Sequence, residues 1–283
     1  MPDDYFIKLK GEIAYFIDRE IIRKESEEIK YVMSPRGHYW RPLVTLATSD
    51  AFGVESRIAM PYAVAVECAH RAALIFDDLP CMDNSSIRHG QPTCHIKFGE
   101  ANAILCANEI STGMIHNMIY NGPAVEKNSL INHELYNDIP SAMVLGQKMD
   151  LYETQCVDLE KLLEMYKLKT GKLFSGAAVI GGILGDASQI QLSHLRQMGI
   201  NAGIAYQLKD DLYDAGYLKE KQNKPKRQDI HKKTPIDLVG AQAVVGLVDS
   251  YKSRIKEDLE KLERPTRNFP HLEELIEEML EVD

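Results

Sequence analysis

Two clusters of aspartates are the residues of this sequence most able to do chemistry. One follows the apolar run Ala73–Phe76 and the other closes the segment Gly203–Asp214, so both interrupt stretches with the composition of buried helix. The carboxylates are Asp77, Asp78, Asp83, Asp210, Asp211 and Asp214. Carboxylates held together in an apolar site repel one another, so either one is protonated or cations lie between them. Oxygen ligands of this kind favour Mg²⁺, and the two clusters predict magnesium sites.

A single pair of aspartates at a helix end is more often solvated surface, but two clusters that each follow an apolar run favour a functional role. His70 and Asp77 are seven residues apart, so on a helix they lie about 20° from each other on one face. Gln207 shares a helical stripe with the second cluster. Asp83 would lie off the face of an unbroken helix, and we expect Pro80 to break or kink that helix and bring Asp83 round.

Three other polar pairs are less informative when each is taken alone. Lys169–Thr170 in mid-helix would by itself be a lysine with its stem along apolar surface beside a helix hydroxyl. Arg88–His89 would be solvated loop. Cys94–His95 could begin a zinc site, but no second ligand pair follows at a suitable spacing, so zinc is not favoured.

The composition excludes several classes of protein. The chain has 283 residues, of which 45% are hydrophobic, enough for a full core. A net charge of -9 argues against general nucleic-acid binding, which needs a basic surface. The five cysteines are odd in number and lack a CxxC pair, which predicts reduced core thiols and a cytoplasmic protein. The N-terminus has no secretory signal, and the most apolar run, Leu173–Leu184, is too short to span a bilayer, so we expect no membrane segment.

Hydrophobic periodicity predicts helices throughout the chain and no strand long enough for a sheet. The expected helices cover residues 4–31, 41–52, 56–77, 101–119, 130–152, 159–184, 189–216, 234–262 and 271–280. The lysine-rich stretch 217–233 is low in apolar residues and contains Pro225, which indicates a flexible loop or flap. We find no repeat and no interdomain linker, and therefore predict one all-α domain over residues 1–283, a bundle of about ten helices.

The motifs in this order resemble those of the short-chain trans-isoprenyl diphosphate synthases, the farnesyl and geranylgeranyl diphosphate synthase type. FDDLPCMDNSSIRHGQPTCHIKFGE (residues 76–100) is similar to the family's first aspartate-rich motif with the basic pair, G-x-P-T and F-G-E that follow it. KTGKLF (169–174) and YQLKDDLYD (206–214) are similar to its later motifs. The resemblance covers most of the chain and implies the isoprenoid synthase fold, an all-helical bundle around a central cavity.

The resemblance also implies a reaction and the residues that perform it. An allylic diphosphate would bind through Mg²⁺ between the two aspartate clusters, ionise, and condense with isopentenyl diphosphate. Metal ligands would be Asp77, Asp78, Asp83, Asp210, Asp211 and Asp214. The allylic diphosphate would be held by Arg88, Lys169 and Lys224, and Thr170 and Gln207 would face the developing cation. The family is usually homodimeric.

The expected isopentenyl diphosphate site departs from the family pattern. The usual G-G-K-R-x-R-P is here Arg36–Pro42, so His38 replaces the lysine and Tyr39 the following arginine, and the usual Arg-Arg pair after the first motif ends in His89. Arg41 and His70 match the pattern. Because histidine is about half charged near its unperturbed pKa of roughly 6.5, we expect weaker, pH-sensitive binding of isopentenyl diphosphate.

These departures leave two further functions open. A member that had lost the isopentenyl site could ionise an allylic diphosphate and act as a terpene synthase, or the chain could be a catalytically weak partner subunit of a heteromeric synthase. In the family that this chain resembles, bulky residues four or five positions before the first aspartate tend to stop growth at fifteen carbons. The residues here are Ala72 and Ala73, and the resemblance therefore slightly favours a twenty-carbon product. Alanine is also simply a good helix former. Met114 and Met118 could supply a different floor to the product tunnel.

Overall fold

The computed structural model describes residues 3–152, 158–218, 233–262 and 270–282 of the protein. Four helices form its N-terminal part. They are α1 (Asp3–Ile17), α2 (Glu27–Met33), α3 (Trp40–Ala51) and α4 (Ser56–Asp77). A π-helical turn, Asp18–Ile22, continues α1. The Ser26 hydroxyl caps α2 by accepting a hydrogen bond from the Ile29 N–H, as short hydroxyl side chains commonly do at helix starts.

A short hairpin and a second group of helices follow α4. The hairpin pairs β1 (Ile87–Arg88) with β2 (Gln91–Pro92) in an antiparallel ladder. The helices are α5 (Cys94–Phe98), α6 (Glu100–Glu109), α7 (Ile115–Tyr120), α8 (Asn128–His133) and α9 (Ile139–Tyr152). Two π turns, Ile110–Met114 and Glu134–Asp138, join α6 to α7 and α8 to α9, so each pair is one long irregular helix.

The remaining helices complete the bundle. They are α10 (Leu159–Tyr166), α11 (Lys172–Leu184), α12 (Gln189–Asp214), α13 (Pro235–Val239), α14 (Ala241–Lys261) and α15 (Pro270–Leu280). A fourth π turn, Lys167–Gly171, joins α10 to α11. Ser188 begins α12 with a reciprocal cap, in which its hydroxyl accepts from the Gln191 N–H and the Gln191 side chain accepts from the Ser188 N–H. The predicted all-α fold is confirmed.

Helix α11 lies at the centre of the bundle. Every residue from Leu173 to Leu184 is buried, which is the pattern of a helix that is apolar on all sides. It packs against α3, α4 and α12. The two helices that carry the aspartate clusters, α4 and α12, are therefore held by one shared central helix.

Two predicted helices were too long. The expected helix over residues 4–31 is interrupted at residues 23–26, between the π turn and α2. The expected helix over residues 234–262 is divided at Gly240, whose φ of +81° is outside the range of a right-handed helix. At the start of α4, Glu55 occupies the cap position and Ser56 is the first helical residue.

Helix α4 is long and apolar enough to cross a membrane by length and composition. However, 67% of its most apolar window is buried inside the protein. Buried residues line it from Ala59 to Ile75, many of them small. This burial is typical of a core helix, whose apolar character serves packing against neighbouring helices.

Candidate active site

The first aspartate cluster lies where α4 ends. Asp77 is the last helical residue, and the Asp78 N–H caps the helix by donating to the Leu74 carbonyl at 3.0 Å. The chain then turns back, so that the Asp83 N–H donates to the Asp77 carbonyl at 2.9 Å. Pro80 lies within this turn, and the predicted break that brings Asp83 round to Asp77 is confirmed.

The small hairpin directs Arg88 toward this cluster. Its tip consists of His89 (φ 53°) and Gly90 (φ 74°), two left-handed residues as in a tight two-residue hairpin turn. The Arg88 Nη2 and Nε atoms donate to Asp78 Oδ1 at 2.6 and 3.1 Å. Asp78 is buried, whereas His89 is exposed. The hairpin thus separates the predicted pair: Arg88 binds the aspartate cluster and His89 forms the tip.

Lys169 joins the first cluster from the π turn between α10 and α11. Its Nζ lies 2.7 Å from Asp150 Oδ2 and 3.8 Å from Asp77 Oδ2. Asp150, near the end of α9, is buried. Three helical segments therefore converge on one ammonium group, which is fixed between two carboxylates at the edge of the cluster.

The same π turn and the residue before it contact α12, the helix that carries the second cluster. The Tyr166 hydroxyl donates to Asp211 Oδ2 at 2.6 Å, and the Thr170 hydroxyl donates to Gln207 Oε1 at 3.2 Å. Because Lys169 lies between these two residues, the segment 166–170 contacts both aspartate clusters. The structure thereby brings together the two groups of residues that the sequence could only suggest to be neighbours.

Members of the second cluster differ in their surroundings. Asp211 and Asp210 are half-buried, whereas Asp214 at the end of α12 is exposed. Burial raises the pKa of Asp211 to about 7, with Asp210 and Asp214 adding to the rise and the hydrogen bond from Tyr166 opposing it. A proton or a bound cation therefore relieves the repulsion at Asp211 near neutral pH.

The first cluster shows the same effect. Burial raises the pKa of Asp77 to about 6, and the positive charge of Lys169 opposes this rise while Asp83 adds to it. Burial also raises the pKa of Asp78, against the hydrogen bond from Arg88. Conversely, the pKa of Lys169 is raised by Asp77 and Asp150 despite its own burial, so the lysine is firmly charged.

The arrangement of these carboxylates fits Mg²⁺ shared with a phosphate ligand. Within the described residues, no three His, Cys, Asp or Glu side chains converge closely enough to hold a metal by themselves. Mg²⁺ typically keeps several waters and takes one or two carboxylates together with substrate phosphates. Two walls of carboxylates with raised pKa values, each wall lacking a complete cage, match that mode of binding.

A second group of predicted residues lies around the start of α3 and the middle of α4. The Arg41 guanidinium lies over the Phe174 ring at 4.5 Å from its centroid, and its buried Nε has no hydrogen-bond partner among the described residues. Burial, with the nearby charges of Arg41 and Arg71, lowers the pKa of His70 well below its usual value. This lowered pKa favours the neutral imidazole in the unliganded protein.

His38 lies in the segment before α3 and is exposed, with its ring stacked on Trp40 at 5.5 Å between centroids. The Lys10 ammonium lies 5.1 Å from the centroid of the same indole. Lys224 and most of the predicted lysine-rich flap lie outside the described residues.

Helix α12 and the π turn approach each other at a pair of glycines. A Cβ atom added to Gly203 would lie 2.5 Å from the Gly171 Cα, closer than any real side chain allows. A Cβ on Gly199, one turn earlier, would meet Ser175 at 2.5 Å. This contact lies next to Thr170 and one turn before Gln207, so it sets the separation between these two side chains.

Sequence analysis missed two residues of the site, Asp150 and Tyr166. Each is a single polar residue on a helix, and only the fold brings it to Lys169 or Asp211. A buried-looking aspartate at the end of the apolar helix α9 was the only local signal of Asp150.

Zinc at Cys94–His95 is not supported within the described residues, and His95 Nδ1 instead lies 3.1 Å from the Thr93 hydroxyl.

Known proteins that resemble this chain in sequence belong to one family. A family model described as polyprenyl synthetase matches residues 23–265. The farnesyl diphosphate synthase of Micrococcus luteus is 32% identical over 250 residues, covering 87% of this chain and 86% of that protein. The chloroplastic geranylgeranyl pyrophosphate synthase 7 of Arabidopsis thaliana is 33% identical over 245 residues, covering 83% of this chain and 70% of that protein.

Solved structures share the complete fold. A geranyltransferase from Helicobacter pylori, complexed with magnesium and isoprenyl diphosphate, has a TM-score of 0.84 at 25% identity, covering 98% of this chain and 95% of that one. An FPP/GFPP synthase from Zymomonas mobilis has a TM-score of 0.83 at 25% identity, covering 99% and 100%. The isoprenoid synthase fold and the prenyltransferase class predicted from the motifs are confirmed, and the chain belongs to the polyprenyl synthetase family.

Proposed function

We propose that this enzyme condenses isopentenyl diphosphate with an allylic diphosphate, head to tail, to form farnesyl or geranylgeranyl diphosphate. The observation that carries the proposal is the segment 166–170, which contacts the first aspartate cluster through Lys169 and the second through Tyr166. Thr170 of the same segment contacts Gln207, which precedes the second cluster on α12. Carboxylates with raised pKa values and a fixed ammonium group between them suit a polyanionic substrate delivered with cations.

The carboxylates that would hold Mg²⁺ are those of the two clusters: Asp77, Asp78, Asp83, Asp210, Asp211 and Asp214. When bound, Mg²⁺ supplies positive charge that stabilises the diphosphate leaving group. Asp150 lies beside this set and positions Lys169. The geranyltransferase of Helicobacter pylori was crystallised with magnesium and isoprenyl diphosphate, which supports the same metal here.

Side chains of this chain would perform the remaining steps. Lys169 and Arg88, with Lys224, bind the allylic diphosphate and hold its charge as the allylic C–O bond breaks. The Thr170 hydroxyl and the Gln207 amide oxygen face the allylic carbons and stabilise the cation by their dipoles. Burial of Thr170 among apolar helices excludes water from that cation. The alkene of isopentenyl diphosphate then attacks, and the proton that it loses goes to the departed diphosphate.

The second diphosphate would bind at the start of α3. Arg41 offers a buried guanidinium whose Nε has no hydrogen-bond partner among the described residues. His38 and His89 are both exposed, and a bound anion generally favours the protonated form of a histidine. His70 is neutral before substrate binds, and an approaching diphosphate would favour its charged form. This site is less cationic than the family pattern, which makes binding of isopentenyl diphosphate pH-sensitive.

We propose further that the protein is one domain over residues 1–283, homodimeric and cytoplasmic, and that it binds neither nucleic acid nor membrane. Large apolar side chains exposed on α6, α8 and α9 support an interface with a second copy. They include Ile104, Leu105, Leu130, Val144 and Leu145. The described cysteines are free thiols, as in a reducing compartment. Cys81 is exposed, however, and not in the core as we predicted. Cys156 lies outside the described residues.

Incubation of the purified protein with dimethylallyl and isopentenyl diphosphates and MgCl₂, followed by mass spectrometry, tests the function. We expect longer prenyl diphosphates, loss of product on adding EDTA, and loss of product in Asp77→Asn. Asp258→Asn, which alters a buried aspartate outside both clusters, serves as the matched control and should retain activity. A neutral terpene formed without isopentenyl diphosphate would instead identify a terpene synthase, and no product would refute both.

A further inference from the structure

The segment between α2 and α3, residues 34–39, presents His38 and leads directly into Arg41, yet it has no regular structure of its own. Its last residue, Tyr39, adopts a left-handed conformation with φ 56° and ψ 31°. A residue with a Cβ is strained there, and such strain persists only where surrounding contacts enforce it. Burial raises the pKa of the Tyr39 phenol, so this side chain supplies no charge to the site.

Arg71 of α4 provides contacts that hold this segment. Its Nη2 donates to the Pro35 carbonyl at 2.8 Å, and its Nη1 donates to the Val32 carbonyl at 3.4 Å at the end of α2. A Cβ atom added to Gly37 would lie 3.5 Å from the Arg71 Nη2, so the guanidinium also lies directly against the middle of the segment. One side chain thus fastens the segment at its start and supports it near His38.

The guanidinium is itself fixed by a buried ion pair. Arg71 Nε donates to Glu67 Oε1 at 2.7 Å, and both side chains are only 4% exposed. The two residues are four apart on α4, so their pairing is part of the helix surface. Because its Nε is bonded to a carboxylate, the planar, permanently charged guanidinium of Arg71 has little rotational freedom. The ion pair therefore fixes the direction in which the two Nη groups donate.

We propose that Arg71 is a positioning residue for the second substrate: it links the segment 34–39 to α4 and so sets where His38 and Arg41 meet isopentenyl diphosphate. The helix that carries Arg71 also carries His70, the next residue, and Asp77 at its end. Arg71 therefore ties the second-substrate segment to the same rigid element that bears the first aspartate cluster. This inference rests on the proposed function.

Steady-state kinetics of Arg71→Met test the inference. The variant keeps the length of the side chain but loses the contacts to Glu67, Pro35 and Val32. We expect the KM for isopentenyl diphosphate to rise about tenfold or more, since a displacement of roughly 1 Å can cost that much, while kcat and the KM for the allylic diphosphate stay within about twofold. Arg71→Lys keeps the charge and should restore part of the affinity.

Arg196→Met is the matched control, because Arg196 forms a comparable pair with the buried Glu134 at 2.6 Å, away from the segment. It should leave the KM for isopentenyl diphosphate unchanged. An unchanged KM in Arg71→Met, or equal rises for both substrates, would overturn the positioning role.

Hydrogen–deuterium exchange of the peptide covering residues 33–40 separates the two proposals. Arg71→Met should speed exchange in this peptide without substrate, and Arg196→Met should not. If the wild-type protein makes no product, the proposed function is refuted, whereas exchange still decides whether Arg71 holds the segment. Unaltered exchange in Arg71→Met would refute the inference regardless of activity.

Discussion

The ammonium group of Lys169 lies 2.7 Å from Asp150, a buried aspartate on a different helix. The same ammonium is 3.8 Å from Asp77. Asp150 therefore offsets the charge of Lys169 and directs it toward the first aspartate cluster, while α9 and the π turn are held together by the bond. This contact fixes the ammonium group that we propose to bind the allylic diphosphate.

Asp150→Asn should lower kcat with little loss of folding, because the amide retains an oxygen acceptor but not the charge that fixes Lys169. We expect a decrease of roughly 10- to 100-fold, in the range found when a positioned catalytic contact is disturbed. Asp186→Asn is the control, since it removes an exposed partner of Lys127 far from the clusters. Equal activity of Asp150→Asn and wild type would contradict this role of Asp150.

Stability should depend on pH through the raised pKa values of Asp77, about 6, and Asp211, about 7. A raised pKa means that the folded protein binds more protons than the unfolded chain between the ordinary aspartate pKa of 3.8 and these values. The free energy of unfolding contributed by these groups therefore falls as pH rises through that window. Calorimetry without metal should show Asp211→Asn with a higher Tm than wild type at pH 8 and little difference at pH 4. A lower Tm at pH 8 would reverse the sign that we assign.

Replacing the two exposed histidines by the cations of the family pattern should strengthen the second-substrate site. At pH 8, His38→Lys with His89→Arg should lower the KM for isopentenyl diphosphate, because a histidine with its ordinary pKa is mostly neutral there, whereas lysine and arginine stay charged. At pH 6 the gain should be smaller, since histidine is about half charged near its ordinary pKa. Kinetics at both pH values check this, and an unchanged KM at pH 8 would argue against placing these positions in the site.

Product length should respond to Ala72, which is 2% exposed in the stretch of α4 before Asp77. Ala72→Tyr adds a ring where the growing chain is expected to pass, so the main product should shift from geranylgeranyl to farnesyl diphosphate. Ala72→Ser, a small change, should leave the product distribution intact. Mass spectrometry of the products distinguishes these outcomes, and an unaltered length in Ala72→Tyr would move the floor of the tunnel elsewhere, for example to Met114.

Much of the fold was predictable because long amphipathic helices leave a strong local pattern. The predicted helices over residues 41–52, 56–77 and 189–216 correspond to α3, α4 and α12, and the one over 159–184 covers α10, the π turn and α11 without separating them. The division at Gly240 and the bend at residues 23–26 were not predictable in this way. Helical periodicity continues across both points, although the helices stop where Gly240 has a positive φ and where Ser26 caps α2.

The site divides along similar lines. The aspartate clusters could be recognised because several residues of one type stand close together in sequence. Asp150, Tyr166 and Arg71 could not, since each is a single residue whose partner lies on another segment or is an unremarkable carbonyl. The neutral state of His70 also escaped sequence analysis, because it depends on burial beside two arginines.

Because neither Gly171 nor Gly203 has a side chain, the π turn and α12 approach closely enough to bring Thr170 and Gln207 together. A Gly203→Ala protein keeps every aspartate, lysine and arginine, yet the new Cβ would lie 2.5 Å from the Gly171 Cα and the two backbones would have to separate. Thr170 and Gln207 would move apart with them. We expect this variant to fold and to keep every charged side chain of the site, but to react more slowly, which would be measured as a lower kcat. The spacing between Thr170 and Gln207 is thus set by two residues that have no side chain.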